Sequence, residues 1–170
     1  VIPGKSWSTS LASGVPGSVA GMWMAHERFG SKPWYDIIRP SIHLAQYGFE
    51  LDPLNCSYLN SNYYKSFLSK DSETKEIFTK AEDFKIGEIF FQHDLANTLR
   101  RIAFSGRDGF YKGQTAKNIV KCMERTDGII TLDDLENYEA IERNPIEFEY
   151  KNYKVYSMPP PSSGGIALAG

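Results

Sequence analysis

The sequence predicts an α+β chain, rich in helix and finishing in β-strands. Three observations carry that prediction. Apolar residues recur at three- and four-residue steps through most of residues 17–140, which is the period of one helix face. Over about residues 144 to 158 the period changes, first to alternation at Ile146–Tyr150, as a half-buried strand requires, and then to a run rich in β-formers. A Pro-Pro-Pro-Ser-Ser-Gly-Gly stretch at 159–165 then leads into an apolar run that reads as a further helix over about 163–170. Residues 1–170 are therefore expected to form a partial domain, a helical layer that ends by entering a sheet.

The elements follow in order. Residues 1–16 are rich in Gly, Ser, Thr and Pro and predict an irregular lead-in. Val19, Met22, Trp23, His26 and Phe29 form the first helical stripe, with Gly30 expected as a left-handed stop. A second helix is predicted over Trp34–Tyr47, kinked or restarted at Pro40 and ended by Gly48, so that the pair should pack as a hairpin. Asp52-Pro53 places a cap before a proline and opens a third helix carrying Leu54, Tyr58, Tyr63 and Phe67. The polar residues 69–76 predict a loop holding one helical turn at most. Leu95, Leu99, Ile102 and Ala103 make a fourth helix, with Asp94 at its positive end and Gly106 closing it. Ala116, Ile119, Val120 and Met123 mark a fifth over Thr115–Arg125, and Thr131 with Asp134 predicts a capping box on a short helix reaching Tyr138. Ile146, Phe148 and Tyr150 alternate with Glu147 and Glu149, and Tyr153–Met158 forms the second strand across Lys151-Asn152.

Composition excludes several classes of function. With 41% hydrophobic and 24% charged residues the chain is close to the globular average. Its longest apolar stretches, such as Ile86–Phe91, fall short of the roughly 18 residues a membrane helix needs, so a soluble chain without a membrane segment is expected. Nineteen basic and 21 acidic residues are spread without a basic stripe, which argues against nucleic acid as a partner. The two cysteines, Cys56 and Cys122, are too far apart for a close-spaced zinc or redox motif. They are read as two free buried thiols, with one long-range bridge as the alternative.

Individual motifs yield no self-contained active site. Gly4-Lys5-Ser6 matches the end of a P-loop but lacks the preceding strand and the following helix, and is read as a chance match. His26, His43 and His93 never stand four apart on one helix, as a pair of metal ligands would. Asp133, Asp134, Glu136 and Glu139 are better explained by a helix dipole than by a cation. The sequon Asn55-Cys56-Ser57 falls inside a predicted helix, and Trp7, Trp23 and Trp34 are read as core. Accordingly no catalytic, cofactor-binding or metal residue is assigned, and no cofactor is expected.

A resemblance adds what spacing cannot. Leu11-Ala-Ser-Gly-Val-Pro-Gly-Ser-Val-Ala-Gly21, His26-Glu27, Asp94-Leu95-Ala96, Phe110-Tyr111-Lys112-Gly113, Asp134-Leu135 with Tyr138, and Tyr156-Ser-Met-Pro-Pro-Pro-Ser-Ser-Gly-Gly165 appear in that order. Together they resemble the γ-glutamyltranspeptidase family over nearly the whole chain, in the later part of the large subunit. The resemblance implies an αββα N-terminal nucleophile hydrolase sandwich. It also implies a precursor that cleaves itself into two subunits, and a new N-terminal threonine that attacks the γ-glutamyl carbonyl of substrates such as glutathione. The α-amine of such a threonine can serve as its base.

By the same resemblance the substrate-binding arginine precedes position 1 and the nucleophile follows position 170. Ser162, Ser163, Gly164 and Gly165 match a strand-to-helix motif, not the family's substrate-binding Ser-Ser or oxyanion Gly-Gly. The second reading of Ser163–Gly165 is an amide concavity for an anion. On the strut reading, Gly164→Val should disturb assembly or maturation more than affinity. The expected partners are the rest of the large subunit, the small subunit and a small γ-glutamyl substrate. Residues 1–170 alone are expected to be inactive, and a periplasmic or extracellular location is implied. The rival readings are a stand-alone helical binding module, which the apolar Ile166–Ala169 argues against, and a related acylase or capsule-depolymerising enzyme.

Overall fold

The structure, a computed structural model, describes residues 4–5 and 9–170. Ser6 and Trp7, both named above, lie outside the described residues. The chain divides into two compact units, one ending at Tyr138 and the other running from Glu139 to Gly170.

The first unit is helical. A single 3-10 turn at Ser10–Ala12 precedes α1 (Ser18–Phe29), α2 (Trp34–Tyr47), α3 (Pro53–Asn60), α4 (Asn62–Leu68) and α5 (Ser72–Phe78). Then come α6 (His93–Ser105), α7 (Asp108–Tyr111), α8 (Gly113–Arg125) and α9 (Leu132–Glu136). Two short strands, β1 (Phe49–Glu50) and β2 (Ile89–Phe90), pair antiparallel with Phe49 opposite Phe90. The main packing is α2 on α6, then α6 on α7. Ala45, Ala96, Ala103 and Ala116 are all buried, and residues this small let helix backbones approach closely.

A smaller core gathers under α3–α5, where Leu51, Cys56, Phe84 and Phe90 are buried against Leu59 and Phe78. The β1–β2 pair closes the excursion at its base, and Asn60 holds it from within. Its amide donates to the Phe84 carbonyl at 2.9 Å while its Oδ1 accepts from the Phe84 N–H at 2.8 Å. One side chain thus satisfies both backbone groups of a loop residue, as burial demands. Both cysteines are free, Cys56 buried and Cys122 half-buried.

Several expectations need correction. Pro40 lies inside α2, which runs from Trp34 to Tyr47 as one helix and does not restart there. Gly30 is not left-handed but extended, at φ −66° and ψ 130°. Its requirement is space: a Cβ there would fall 2.5 Å from the His26 ring and from the His26 carbonyl. The predicted third helix breaks at Ser61, whose extended ψ of 139° ends α3 and whose hydroxyl caps α4 at Tyr64. Residues 69–76 are not mainly loop. Asp71 caps Thr74 and opens α5, which runs to Phe78. The β1–β2 pair was not expected at all, because a two-residue strand carries no period. Gly48 (φ +82°) and Gly106 (φ +55°) do sit at helix ends in the left-handed half of the map that glycine tolerates.

The second unit is a hairpin with a helix on it. β3 (Ile146–Tyr150) and β4 (Tyr153–Ser157) pair antiparallel, Tyr150 opposite Tyr153, and α10 (Gly164–Ala169) packs on both. The prolines carry the chain from β4 to α10, and Arg143 donates to the Pro160 carbonyl at 2.7 Å.

The glycine that matters here is Gly165, not Gly164. A Cβ on Gly165 would overlap the Met158 carbonyl and lie 3.1 Å from Ile146 Cδ1, whereas one on Gly164 would meet only Ser162 Oγ at 3.7 Å. Gly164→Ala is therefore expected to be nearly neutral in urea melts of the full chain, and Gly165→Ala to cost about 2 kcal/mol through overpacking. Equal costs for the two would refute the packing assignment.

Candidate functional site

The Pro16–Ala20 stretch, Tyr111 and Tyr138 come together in the first unit, from three of the motifs that carry the family resemblance. Tyr111, on α7, is 1% exposed. Its hydroxyl donates to the Pro16 carbonyl at 2.5 Å and accepts from the Ala20 N–H at 3.2 Å. Ala20 is the third residue of α1, so its N–H has no partner within the helix, and Gly17 at the N-cap offers no side chain. A phenol 91 residues away in sequence thus takes the place of a capping side chain.

Tyr138 stacks on Tyr111 with centroids 5.6 Å apart and planes at 10°. Its hydroxyl lies where any side chain on Gly17 would go, and even its Cζ would be only 3.0 Å from a Cβ. Arg107 lies over the Tyr111 ring at 4.9 Å and donates to the carbonyls of Glu136 and Tyr138. Burial pushes the Tyr111 hydroxyl above its ordinary pKa, the hydrogen bond from Ala20 pulling the other way more weakly. A phenol held protonated can donate and accept together, which is the role the geometry gives it. This node clamps the Pro16–Ala20 stretch against α7.

Concavities flank the helices. A polar cleft of about 760 Å³ opens between α5, α6 and α8, with Glu73, Glu76, Asp94, Arg101, Lys121 and Cys122 on its walls. An apolar groove of about 490 Å³ runs along α1 and α2, lined by Val19, Met22, Trp34, Ile37, Leu99 and Ile102.

The residues weighed from sequence do not assemble into a site. His26 bonds the Lys32 carbonyl at 2.8 Å and packs between Trp23 and Trp34, which supports those tryptophans as packing residues. His43 lies against Tyr47, and His93 against Phe91. Asp134 completes the capping box with Thr131, and those hydrogen bonds, the Thr131 hydroxyl first, hold its carboxyl below the usual range. Asp133 accepts from Asn137, and Glu136 pairs with Lys112 at 3.6 Å. Among the described residues no group of three or more His, Cys, Asp or Glu could hold a metal, and no helix is long and apolar enough to cross a membrane. The Tyr111 clamp and the Arg101 cleft were both missed, since neither has a local sequence signature.

The family model described as gamma-glutamyltranspeptidase matches residues 3–170. The glutathione hydrolase proenzyme of Escherichia coli (strain K12) is 42% identical over 165 residues, covering 96% of this chain and 28% of the relative. The crystal structure of Helicobacter pylori gamma-glutamyltranspeptidase superposes with a TM-score of 0.92 at 40% identity, over 99% of this chain and 48% of that one. The Bacillus anthracis transpeptidase enzyme CapD reaches 0.78 at 35% identity over 89% of this chain and 51% of its own. The chain thus spans well under half the length of the curated relatives it matches, and its neighbours have the N-terminal nucleophile hydrolase fold. With the motifs in order, the helices superposed and a family model matching nearly end to end, this chain belongs to the γ-glutamyltranspeptidase family.

Proposed function

We propose that this chain is a framework segment of the large subunit of a γ-glutamyl transferase and hydrolase, with the reacting groups supplied by other parts of the same precursor. One observation carries the reading: three of the motifs that mark the family meet at the Tyr111 clamp, where the Tyr111 hydroxyl is taken up on both sides by the Pro16 carbonyl and the Ala20 N–H at the start of α1. The partners follow from it. They are the remainder of the large subunit and the small subunit, and the exposed Ile166 and Leu168 of α10 support such neighbours. A small γ-glutamyl compound is the substrate of the assembled protein, and an exported location is proposed with it.

The test compares the full precursor with residues 1–170 alone on γ-glutamyl-p-nitroanilide. The precursor is expected to split into two chains and release nitroaniline, and residues 1–170 to release none. Hydrolysis by residues 1–170 would overturn the framework reading, and a precursor that neither splits nor hydrolyses would overturn the enzyme reading.

A further inference from the structure

The polar cleft between α5, α6 and α8 has the makings of a ligand site that the framework role does not explain. Its charges are unusual in being left over. Glu73 is engaged by Arg125 at 3.5 Å, and Asp71, just outside the cleft, by the same guanidinium at 2.6 Å. That ion pair holds α5 across to α8 and so keeps the cleft's outer wall in place. Two cations and two carboxylates remain on the walls: Arg101 and Lys121, Glu76 and Asp94. Among the described residues none of these four forms an ion pair.

Arg101 is also preorganised. Its Nε donates to Thr115 Oγ1 at 2.8 Å and its Nη2 to Thr98 Oγ1 at 2.8 Å. Thr115 is itself buried and donates to the Gly109 carbonyl at 2.8 Å. The guanidinium is therefore held by two neutral hydroxyls, with its full charge uncompensated and Nη1 free of protein partners among the described residues. A planar fork fixed in this way suits a carboxylate. Holding it costs no further side-chain entropy when a ligand arrives.

We propose that this cleft binds a small zwitterion, a free peptide of two or three residues, with its carboxylate toward Arg101 and Lys121 and its ammonium toward Glu76 and Asp94. The balance of charge selects this class. A simple anion would meet two carboxylates it could not satisfy, and a simple cation would meet Arg101 and Lys121. At about 760 Å³ the cleft lies within the range of small-molecule pockets and is roomy for a single amino acid. The proposal is independent of the catalytic reading, because none of these residues is placed in the chemistry.

Cys122 supplies the readout. It is a free, half-buried thiol on the cleft wall, whereas Cys56 is buried in the smaller core. The full-length protein is treated with iodoacetamide, and alkylation of Cys122 is followed by peptide mass spectrometry with triglycine, N-acetyltriglycine or triglycine amide present. Triglycine at about ten times its half-protection concentration is expected to slow the labelling of Cys122 about tenfold, as mass action requires of a ligand that covers the thiol. Neither capped form should protect at that concentration. The variants Glu76→Gln and Lys121→Gln, both at exposed positions, should lose the protection, each measured against its own unliganded labelling rate. Equal protection by all three peptides, protection that survives both variants, or no protection at all would each overturn the proposal.

Discussion

Gly109→Ala is expected to destabilise the helical unit by about 3 kcal/mol, the upper end of what overpacking costs. Intrinsic propensity points the other way, since alanine is better than glycine inside a helix by about 1 kcal/mol. Packing decides, because the obstacle is backbone. A Cβ on Gly109 would overlap the Arg101 carbonyl and lie 2.7 Å from the Ile102 nitrogen, and neither can be moved by choosing another rotamer. The missing side chain lets α7 lie against α6. From there the Gly109 carbonyl accepts from Thr115, and Thr115 accepts from the Arg101 side chain, so that the contact closes a ring of interactions back onto α6. Moving α7 outward would stretch every member of that ring. Gly21→Ala is the matched control: a Cβ there meets nothing within 4 Å, and the variant should be stabilised by up to about 1 kcal/mol. Urea denaturation of both variants checks the pair, and a loss below 1 kcal/mol for Gly109→Ala would remove the close-approach argument.

How much of this was visible in the residues depends on distance along the chain. The helices with a clear apolar stripe, α1, α2, α6 and α8, were legible because period and side-chain chemistry agree locally. The Thr131–Asp134 capping box was legible for the same reason. The Ser61 break and α5 were less so, because a polar run reads as loop until the Asp71 cap is weighed more heavily than the charge around it. The β1–β2 pair was invisible, since Phe49 and Phe90 are brought together by the fold and not by any alternation. The sites follow the same rule. Resemblance picked out the right motifs, but their purpose appears only when Pro16, Tyr111 and Tyr138 are seen in one place. Gly165 shows the limit most clearly: nothing local distinguishes it from Gly164, and the Met158 carbonyl across the turn, with Ile146 behind it, does.

Tyr111→Ala should have the largest effect of any single truncation in the chain, about 3–5 kcal/mol, as for other fully buried aromatic side chains. Tyr111→Phe separates the two contributions. It keeps the ring, its stacking on Tyr138 and its place beneath Arg107, and removes only the oxygen. The buried Ala20 N–H at the start of α1 then loses its partner, and the Pro16 carbonyl loses a donor, at a cost of about 1–3 kcal/mol. The pH dependence gives a second, independent signature. Because burial raises the folded-state pKa above the ordinary 10.0, the folded state binds this proton more tightly than the unfolded chain does. The stabilisation is therefore whole below pH 10 and is lost as the pH climbs through the raised value. Urea stability of the parent chain should fall more steeply above pH 10 than that of Tyr111→Phe, which has no phenol to ionise at this place. If the two curves stay parallel up to the alkaline limit of folding, the hydroxyl is not the cap of α1, and the convergence of motifs on this node loses its physical meaning.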